Sequence, residues 1–425
     1  PKNILSTING GKILKITGTL HGSIQAQPSK SMAHRLIICG ALSENDCTID
    51  NIFLSDDVSA TLSCIHRLGV ASYFHKKSKN VLHLQNKPRP SHDKIELDCR
   101  ESGTTLRLML PIAAVFADSV TYTGRGRLLE RPMQPYAEAF AENGMKYEGC
   151  TVEGRLRPGV YSLRGDVSSQ FISGLLMSLP LLEGKSEIRL TTPLESAGYV
   201  DMTLSALQKA GIEIEKTESG YAIPGGQKYK LRDCECEGDY SHAAFFAVAG
   251  ALSEQGVTVK GLASASRQKD KAIYDILQNM GANVERSGSN VTVKGGALKG
   301  AVVDVSDTPD LVPALAVAMA AAQGESRIIG GERLRIKESD RIATVCENLA
   351  KLGCDITETQ DGMIINGGRL TGCAVSSFND HRIAMAMAVA AAICDGEIEL
   401  DDADCVKKSA PQFWDEFKKL GGKTK

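Results

Sequence analysis

The chain has 425 residues, of which 42% are hydrophobic, 24% charged and 5% aromatic, and this composition and length indicate an ordinary folded protein of two or three domains. A formal net charge of −2 argues against a general nucleic-acid binder, and no apolar stretch approaches the roughly eighteen residues of a membrane-spanning helix. The first thirty residues contain neither an arginine-rich presequence nor an apolar signal core, so we expect a cytoplasmic location.

The spacing of cysteine and histidine argues against a metal site. The twelve cysteines run from Cys39 to Cys405 without a CxxC pair, and the eight histidines form no HExxH or HxH pattern. Cys234 and Cys236 form the one close pair, and reduced thiols are the expected state of both. We therefore predict neither a metal nor another cofactor.

One kind of segment recurs along the chain, an amphipathic helix that ends at a glycine and runs into a strand. The six segments are HRLGVASY, AENGMKYEG, QKAGIEIE, QNMGANVE, AKLGCDITE and KKLGGK. Their glycines, 67 to 75 residues apart, are Gly69, Gly144, Gly211, Gly281, Gly353 and Gly421. Glycine at this point suits the left-handed residue that stops a helix.

Two further series share this period. Strands followed by a polar turn are CTIDNIFLSDD, SVTYTGRGRLLERP, SEIRLTTPLESAGY, VTVKGLASASRQKD, SRIIGGERLRIKESDR and EIELDDADCVKKSAP. Helix starts are PSKSMAHRLIICGAL, ESGTTLRLMLPIAA, VSSQFISGLLM, GDYSHAAFFAVAG, DTPDLVPALAVAMA and NDHRIAMAMAVAAA. The series predict six copies of one α/β unit, which bury their cores against each other. We expect two domains of three units, since a closed eightfold barrel needs eight units and a shorter period.

The helix starts are the best candidates for a binding site. The first turn of a helix has free backbone N–H groups and the positive end of the helix dipole, which together favour anions. Basic residues occur near several of these starts and turns, although any one of them is more often a solvated surface charge. Their repetition favours a site for two small anions. They are Lys30, Arg35, Arg107, Arg131, Lys337, Arg341, Arg382 and Lys408.

Six motifs in order and spacing resemble those of EPSP synthases over nearly the whole chain. They are SKSMAHR (29–35), SGTTLRL (102–108), ERP (130–132), SSQF (168–171), RIKESDR (335–341) and NDHR (379–382), of which the last two form a highly specific pair. The resemblance implies a two-domain, inside-out α/β barrel with three βαβαββ units in each domain and an active site in the interdomain cleft. It also implies that the chain crosses twice, with residues 28–237 in the first domain and 1–27 with 238–425 in the second.

The resemblance further implies the reaction: transfer of the enolpyruvyl group of phosphoenolpyruvate to the 5-hydroxyl of shikimate 3-phosphate, with release of phosphate and without a cofactor. The residues that match those of the family around shikimate 3-phosphate are Lys30, Ser31, Arg35, Ser168, Ser169, Gln170, Ser196, Tyr199, Asp310 and Lys337. Those that match the phosphoenolpyruvate set are Lys30, Gly103, Arg131, Gln170, Glu338, Arg341, Arg382 and Lys408.

The reaction needs a base for the hydroxyl and an acid for the methylene carbon, but no covalent nucleophile. Asp310 resembles the family's base and Glu338 its proton donor, with Lys337 near the reacting hydroxyl; Lys30 and Lys408 complete the expected catalytic set. From spacing alone, Asp310 is rather a charge at a helix N-terminus and Glu338 an ion-pair partner of Arg341, three residues further on. The resemblance favours the catalytic interpretation.

The sequence departs from the family pattern at several positions, among them QPSK, MAH before Arg35, Glu101 and Arg333. Glu101 precedes the SGT motif where asparagine is frequent, and Arg333 stands where some members place asparagine against the shikimate phosphate. A related family that acts on UDP-N-acetylglucosamine usually has a cysteine before its Arg-Pro pair, and TGRGRLLERP has none. A non-catalytic anion-binding scaffold is the alternative from another class. The expected partners are the two small anions alone, bound by a monomer without nucleic acid or membrane.

Overall fold

The computed structural model describes residues 13–78, 80–85 and 92–425. The α-helices are α1 (Lys30–Leu42), α2 (Asp56–Arg67), α3 (Gly103–Phe116), α4 (Gln134–Glu142), α5 (Ser169–Ser178), α6 (Ala197–Lys209), α7 (Tyr240–Ala251), α8 (Ala272–Met280), α9 (Val312–Ala320), α10 (Arg341–Lys351), α11 (His381–Ala390) and α12 (Phe413–Lys419). Short 3-10 helices span Leu128–Glu130, Leu179–Leu181, Lys269–Lys271, Pro309–Leu311, Glu332–Ile336 and Asp404–Lys408.

The strands of the first half are β1 (Leu14–Thr17), β2 (Gly22–Gln25), β3 (Cys47–Asp50), β4 (Ala71–Phe74), β5 (Leu82–Gln85), β6 (His92–Asp98), β7 (Ala117–Thr123), β8 (Lys146–Glu148), β9 (Thr151–Glu153), β10 (Val160–Leu163), β11 (Ser186–Leu190), β12 (Glu215–Thr217) and β13 (Gly220–Ile223). Those of the second half are β14 (Cys234–Glu235), β15 (Val257–Lys260), β16 (Asn283–Ser287), β17 (Asn290–Lys294), β18 (Val302–Asp304), β19 (Ser326–Ile329), β20 (Asp355–Glu358), β21 (Met363–Gly367), β22 (Leu370–Thr371), β23 (Ala374–Val375), β24 (Cys394–Asp395), β25 (Ile398–Leu400) and β26 (Lys423–Thr424).

Within the described ranges, six four-stranded sheets repeat one topology. Their strand orders are β14-β3-β5-β4, β6-β7-β9-β8, β10-β11-β13-β12, β2-β15-β17-β16, β18-β19-β21-β20 and β23-β25-β1-β26. In each sheet the first two strands pair in parallel and the other neighbours pair antiparallel, as in Val120↔Ile95 and Val120↔Val152. The unit β6-α3-β7-α4-β8-β9 shows the βαβαββ order directly. The predicted six-unit α/β fold is confirmed, and the eightfold barrel is excluded.

Three of the sheets are completed by strands that are distant in sequence. β14 pairs with β3 through Cys234↔Ile49, and β2 pairs with β15 through Ile24↔Val259. β1 lies beside β25, with Leu14 opposite Leu400. These pairings join β14 to a sheet of the first half of the chain, and β1 and β2 to sheets of the second half.

The chain divides into two compact units. The first consists of residues 27–240 and 262–269, and the second of residues 13–26, 241–261 and 270–425. Residues 262–269, which the sequence analysis assigns to the second domain, thus pack with the first unit. The domain limits at 28–237 and 238–425 stay a prediction.

The first helix of each repeat is packed in the core. All nine residues of α9 and all ten of α11 are buried, whereas β17 alternates buried and partly exposed residues along its length. Small side chains such as Ala384 and Ala388 let these buried helices pack closely. No helix among the described residues is apolar over a length that would cross a membrane.

The glycines that end the second helix of each repeat have the left-handed conformation that a helix stop requires. Gly69, Gly144, Gly211, Gly281, Gly353 and Gly421 all have φ between +75° and +110°. A side chain is strained in this region, which explains why glycine recurs at this point of every repeat.

Candidate active site

Helix starts converge in the first unit. Lys30 opens α1, and its Nζ donates to Oδ2 of Asp57, in the first turn of α2, at 2.9 Å. Thr105, in the first turn of α3, donates to the backbone carbonyl of Asp57 at 3.4 Å. The first turns of α1, α2 and α3 are therefore in contact, and their positive dipole ends are brought together, as an anion site requires.

The start of α5 joins this group through Gln170. Arg107 Nη1 donates to Gln170 Oε1 at 2.9 Å, and Gln170 Nε2 donates to Thr104 Oγ1 at 2.8 Å. Ser168 caps the helix by accepting from the backbone N–H of Gln170, and Ser169 beside it is buried. Two side chains of α3 thus orient the oxygen and the nitrogen of the Gln170 side-chain amide.

Arg107 is a functional candidate that sequence reasoning noted only as one basic residue among several. It is 7% exposed, and its guanidinium lies 4.9 Å from the centre of the Phe171 ring. Its signal was the position four residues after Gly103, which places it one helical turn into α3.

Arg35 positions protein groups rather than standing open to solvent. It is 2% exposed and donates to Thr203 Oγ1 at 2.8 Å, to the Ser31 carbonyl at 2.7 Å and to the Tyr199 carbonyl at 2.9 Å. Burial lowers the pKa of Arg35 to about 10. These bonds fasten the start of α1 to α6 and fix the backbone of Ser31 and Tyr199, a role that the sequence did not indicate.

Gly103 and Arg131 lie against each other. A Cβ on Gly103, the first residue of α3, would be 2.5 Å from Arg131 Nη1, so only glycine leaves room for the guanidinium in this position. Glu101 faces the loop that leads to Arg131, because a Cβ on Gly126 would be 2.6 Å from Glu101 Oε1. The unexpected acid therefore packs against this loop.

Ser196 has a strained backbone at the start of α6. Its φ of 53° and ψ of 41° are left-handed, which is uncommon for a residue other than glycine, and its side chain is buried. Strain of this kind concentrates at functional sites. Three residues further on lies Tyr199, whose carbonyl Arg35 holds.

Arg341 is the centre of a second group, in the second unit. It opens α10, is 1% exposed, and contacts three carboxylates. Its Nε donates to Asp380 Oδ2 at 2.8 Å, its Nη1 to Asp310 Oδ1 at 2.9 Å and its Nη2 to Glu338 Oε2 at 2.8 Å. The ion pair between Glu338 and Arg341 that the spacing permits is thus present.

Asp310 lies between two guanidinium groups. Arg382, in the first turn of α11, donates to Asp310 Oδ2 at 2.9 Å, and Arg341 donates to Oδ1. Burial acts to raise the pKa of Asp310, but Arg382, Lys337 and Arg341 outweigh it and hold this pKa well below its ordinary value. The carboxylate is ionised at neutral pH, and the starts of α9, α10 and α11 meet around it.

Lys337 has a pKa that suits proton exchange. Burial lowers it from 10.5 to about 8, with further lowering by the positive charges of Arg341 and Arg333, while Asp310 and Glu338 act in the opposite direction. A fraction of the side chain is therefore a neutral amine near pH 7.

Asp380 and Asp57 are acids in these groups that sequence reasoning did not select. Asp380 is fully buried, caps α11 by accepting from the backbone N–H of Arg382 at 3.0 Å, and accepts from Ser339 Oγ at 3.1 Å. His381 is buried, with Nδ1 3.7 Å from Asp380 Oδ1. The signal for Asp380 was its place before a helix start in NDHR.

Lys408 is the last residue of the 3-10 helix Asp404–Lys408, which packs against α11, and it is 8% exposed. The described residues contain no group of three or more His, Cys, Asp or Glu side chains arranged to hold a metal ion.

Comparison with known proteins identifies the family. The family model of EPSP synthase (3-phosphoshikimate 1-carboxyvinyltransferase) matches residues 14–417. The chain is 44% identical over 420 residues to a 3-phosphoshikimate 1-carboxyvinyltransferase of Clostridium perfringens, covering 97% of this chain and 98% of the relative. A Clostridium novyi protein with that name is 43% identical over 421 residues, with 96% and 97% covered.

Solved structures agree. An EPSP synthase from Acinetobacter baumannii matches with a TM-score of 0.79 and 26% identity, covering 97% of this chain and 99% of that one. The enolpyruvyl transferase NikO from Streptomyces tendae, at 15% identity and a TM-score of 0.78 over 98% and 99% of the two chains, shares the fold. The chain belongs to the EPSP synthase family.

Proposed function

We propose that this chain transfers the enolpyruvyl (1-carboxyvinyl) group of phosphoenolpyruvate to the 5-hydroxyl of shikimate 3-phosphate. The products are EPSP and phosphate, and the reaction belongs to the shikimate pathway of aromatic amino acid biosynthesis. Membership of the family over residues 14–417 supports the activity. The observation that best supports the chemistry is the Asp310 carboxylate between Arg341 and Arg382, with Lys337 and Glu338 beside it.

Removal of the hydroxyl proton is assigned to Asp310 together with Lys337. Asp310 is ionised and can accept a hydrogen bond from the hydroxyl, but its strongly lowered pKa makes it a weak final acceptor. Lys337, with a pKa of about 8, can hold the proton near neutral pH when its amine is neutral. The two side chains therefore act best as a pair, in which Asp310 orients the hydroxyl and Lys337 accepts its proton.

Proton delivery to the methylene carbon is assigned to Glu338. Its side chain is 14% exposed, and its carboxyl group lies 2.8 Å from Arg341 Nη2. Arg341, which also pairs with Asp310, therefore holds this carboxyl group in one orientation. Addition of the hydroxyl oxygen to the neighbouring carbon gives a tetrahedral ketal phosphate with a new methyl group. The ketal then loses phosphate together with one proton of that methyl group, which the Glu338 carboxylate takes back, to form the product. Neither step needs a covalent bond to the protein.

The cations stabilise the negative charge of substrates and intermediate. Arginine forks match carboxylate and phosphate oxygens, lysines add point charges, and the helix starts add aligned N–H groups. For phosphoenolpyruvate we assign these roles to Lys30, Gly103, Arg131, Gln170, Arg341, Arg382 and Lys408. For shikimate 3-phosphate we assign Lys30, Ser31, Arg35, Ser168, Ser169, Gln170, Ser196 and Tyr199, with Asp310 and Lys337 at the reacting hydroxyl.

The test is inorganic phosphate release from purified protein that is given phosphoenolpyruvate with shikimate 3-phosphate, or with UDP-N-acetylglucosamine. We expect release with shikimate 3-phosphate alone. Release with UDP-N-acetylglucosamine alone would show that the nucleotide sugar, and not shikimate 3-phosphate, is the substrate. Binding of phosphoenolpyruvate and shikimate 3-phosphate without release would favour a non-catalytic scaffold. The cytoplasmic location, the monomeric state and the absence of nucleic-acid and membrane partners stay predictions.

A further inference from the structure

Two loops that carry proposed catalytic residues leave neighbouring strands at the same edge of one sheet. β18 and β19 pair in parallel, with Val303 opposite Ile328, and Val305 N donates to the Ile329 carbonyl at 2.9 Å. The chain after β18 leads to Asp310, and the chain after β19 leads through the 3-10 helix Glu332–Ile336 to Lys337. The carboxyl ends of parallel strands lie side by side, so these loops are neighbours.

Arg333 connects the two loops directly. Its Nη2 donates to the backbone carbonyl of Ser306 at 2.5 Å. Ser306 is four residues before Asp310, and Arg333 is four residues before Lys337. The guanidinium therefore bridges the two segments that must hold the proposed acid–base pair at a fixed separation.

Both bridged segments are tightly turned, so the bridge can transmit position. Ser306 N donates to Asp304 Oδ1 at 2.8 Å, and Thr308 N donates to the Val305 carbonyl at 3.0 Å. On the other side, Leu334 N donates to the Gly331 carbonyl at 2.8 Å. A short turned segment moves as a body, so a bond at one of its ends limits the movement of the other.

The charge of Arg333 acts on Lys337. Arg341 and Arg333 are the two positive groups that lower the pKa of Lys337, against the opposing charges of Asp310 and Glu338. At the start of α11, Arg382 pairs with Asp310 and the capping residue Asp380 pairs with Arg341, and Asp310 and Arg341 both act on Lys337. These groups are the charged surroundings in which Arg333 operates.

We propose that Arg333 is a positioning residue for the reaction: it fastens the loop of Asp310 to the turn of Lys337 and adds positive charge near Lys337. The inference rests on the proposed function, since it assigns no new chemistry. It gives a role to a position where this chain departs from the pattern of the family.

The experiment compares Arg333→Met and Arg333→Lys with a matched control, Arg327→Met. Arg327 lies on β19, is about half exposed and pairs with Glu325 at 2.7 Å, so its removal takes an arginine from the same sheet without touching either loop. We expect Arg333→Met to lower kcat about ten-fold, since small displacements of reacting groups cost rate steeply. Arg333→Lys keeps the charge but not the planar fork, and we expect a smaller loss of kcat, about three-fold.

A second readout does not depend on turnover. The rate of acetylation of Lys337, followed by mass spectrometry from pH 6 to pH 10, reports the fraction of neutral amine. Because the positive charge of Arg333 lowers the pKa of Lys337, its removal in Arg333→Met should raise the midpoint. Arg333→Lys and Arg327→Met should keep the midpoint of the parent chain, and the same shift should appear in the acid limb of the kcat/KM profile.

An Arg333→Met variant with the parent kcat and the parent Lys337 midpoint would overturn the proposal, as would a control that changes as much. If Arg333→Met does not fold, Arg333→Lys decides: parent kcat sinks the positioning role, and reduced kcat with an unchanged midpoint supports it. If the parent chain releases no phosphate, the proposed function fails, while the acetylation midpoints still test the effect of Arg333 on Lys337.

Discussion

Replacement of Arg341 by methionine tests whether burial or contact distance decides how much an ion pair stabilises the fold. Arg341 is 1% exposed, and the substitution leaves the fully buried Asp380 with its hydrogen bonds from Ser339 Oγ and the backbone N–H of Arg382. Asp310 keeps the guanidinium of Arg382. The matched control is Arg369→Met, because Arg369 contacts Asp395 at 2.7 Å while both side chains are mostly exposed, by 87% and 61%.

The two pairs have almost the same N–O distance, 2.8 Å for Arg341 with Asp380 and 2.7 Å for Arg369 with Asp395. If distance decided, both variants would lose the same stability. Removing one partner of a buried pair leaves an uncompensated charge and costs about 3–5 kcal/mol. An exposed pair contributes about 0–1 kcal/mol, since water and salt screen it. We therefore expect the Arg341 variant to lose at least about 2 kcal/mol more than the control.

The assay is urea unfolding followed by tryptophan fluorescence. Trp414 is the one tryptophan of the chain and belongs to the same compact unit as Arg341 and Arg369, so its emission reports the unfolding of that unit. Its indole N–H donates to the Ala403 carbonyl at 2.8 Å, a contact that unfolding breaks. Equal losses of unfolding free energy in the two variants would refute the burial argument, and so would a loss in the Arg341 variant that high salt removes.

Three further predictions concern binding and pH. Gly103→Ala places a Cβ 2.5 Å from Arg131 Nη1, so steady-state kinetics should show a KM for phosphoenolpyruvate raised about ten-fold with little change in that for shikimate 3-phosphate; an unchanged value would contradict the placement. Because Lys337 must be neutral to accept a proton, kcat/KM should rise with pH up to its pKa of about 8, and Lys337→Arg should remove this limb, whereas a fall through pH 8 would require the charged form. Shikimate 3-phosphate should slow the acetylation of Lys30 but not of the exposed Lys185, and equal labelling of Lys30 with and without shikimate 3-phosphate would count against the assignment of Lys30.

The repeat was predictable because its signals are local. A helix stop needs a left-handed residue, and at each of Gly69, Gly211 and Gly353 this requirement is met within a few residues of the chain. Four of the predicted helix starts, those of α1, α3, α5 and α11, have a capping side chain, such as Ser102, which accepts a hydrogen bond from an amide three residues away. The start of α9 instead follows a 3-10 helix and has no side-chain cap. Local signals therefore made the number and type of the repeats predictable from the sequence.

Strand pairing across the chain was not predictable from these signals. β14 has two residues and no hydrophobic alternation, yet Cys234 and Glu235 complete the sheet of β3. β1 completes the sheet of β25, nearly four hundred residues away. Pairings at such separation depend on which edge strand remains open once the rest of the domain is packed, and a periodic pattern carries no information on that.

The acids of the site were partly hidden for a similar reason. Asp310 and Glu338 were selected because they lie in motifs that resemble the family, whereas Asp57 and Asp380 look like ordinary first-turn and capping acids. What distinguishes Asp57 and Asp380 is a partner on another element, Lys30 and Arg341 respectively. Only the tertiary structure shows that these two acids also pair with cations of the site.

The two groups differ in charge balance. In the first group, Lys30, Arg107 and Arg131 gather at helix starts with Asp57 as the acid that pairs with Lys30, a balance that favours anions. In the second, the guanidinium hydrogens of Arg341 and Arg382 are directed to Asp310 and Glu338.

An anionic substrate that takes over guanidinium hydrogens in the second group must compete with these carboxylates. Because the arginines are what hold the pKa of Asp310 down, each hydrogen bond transferred from Asp310 to substrate oxygens raises the basicity of Asp310. We therefore expect substrate binding itself to make Asp310 a stronger proton acceptor. Binding of an anionic substrate would thus prepare Asp310 to accept the proton of the reacting hydroxyl.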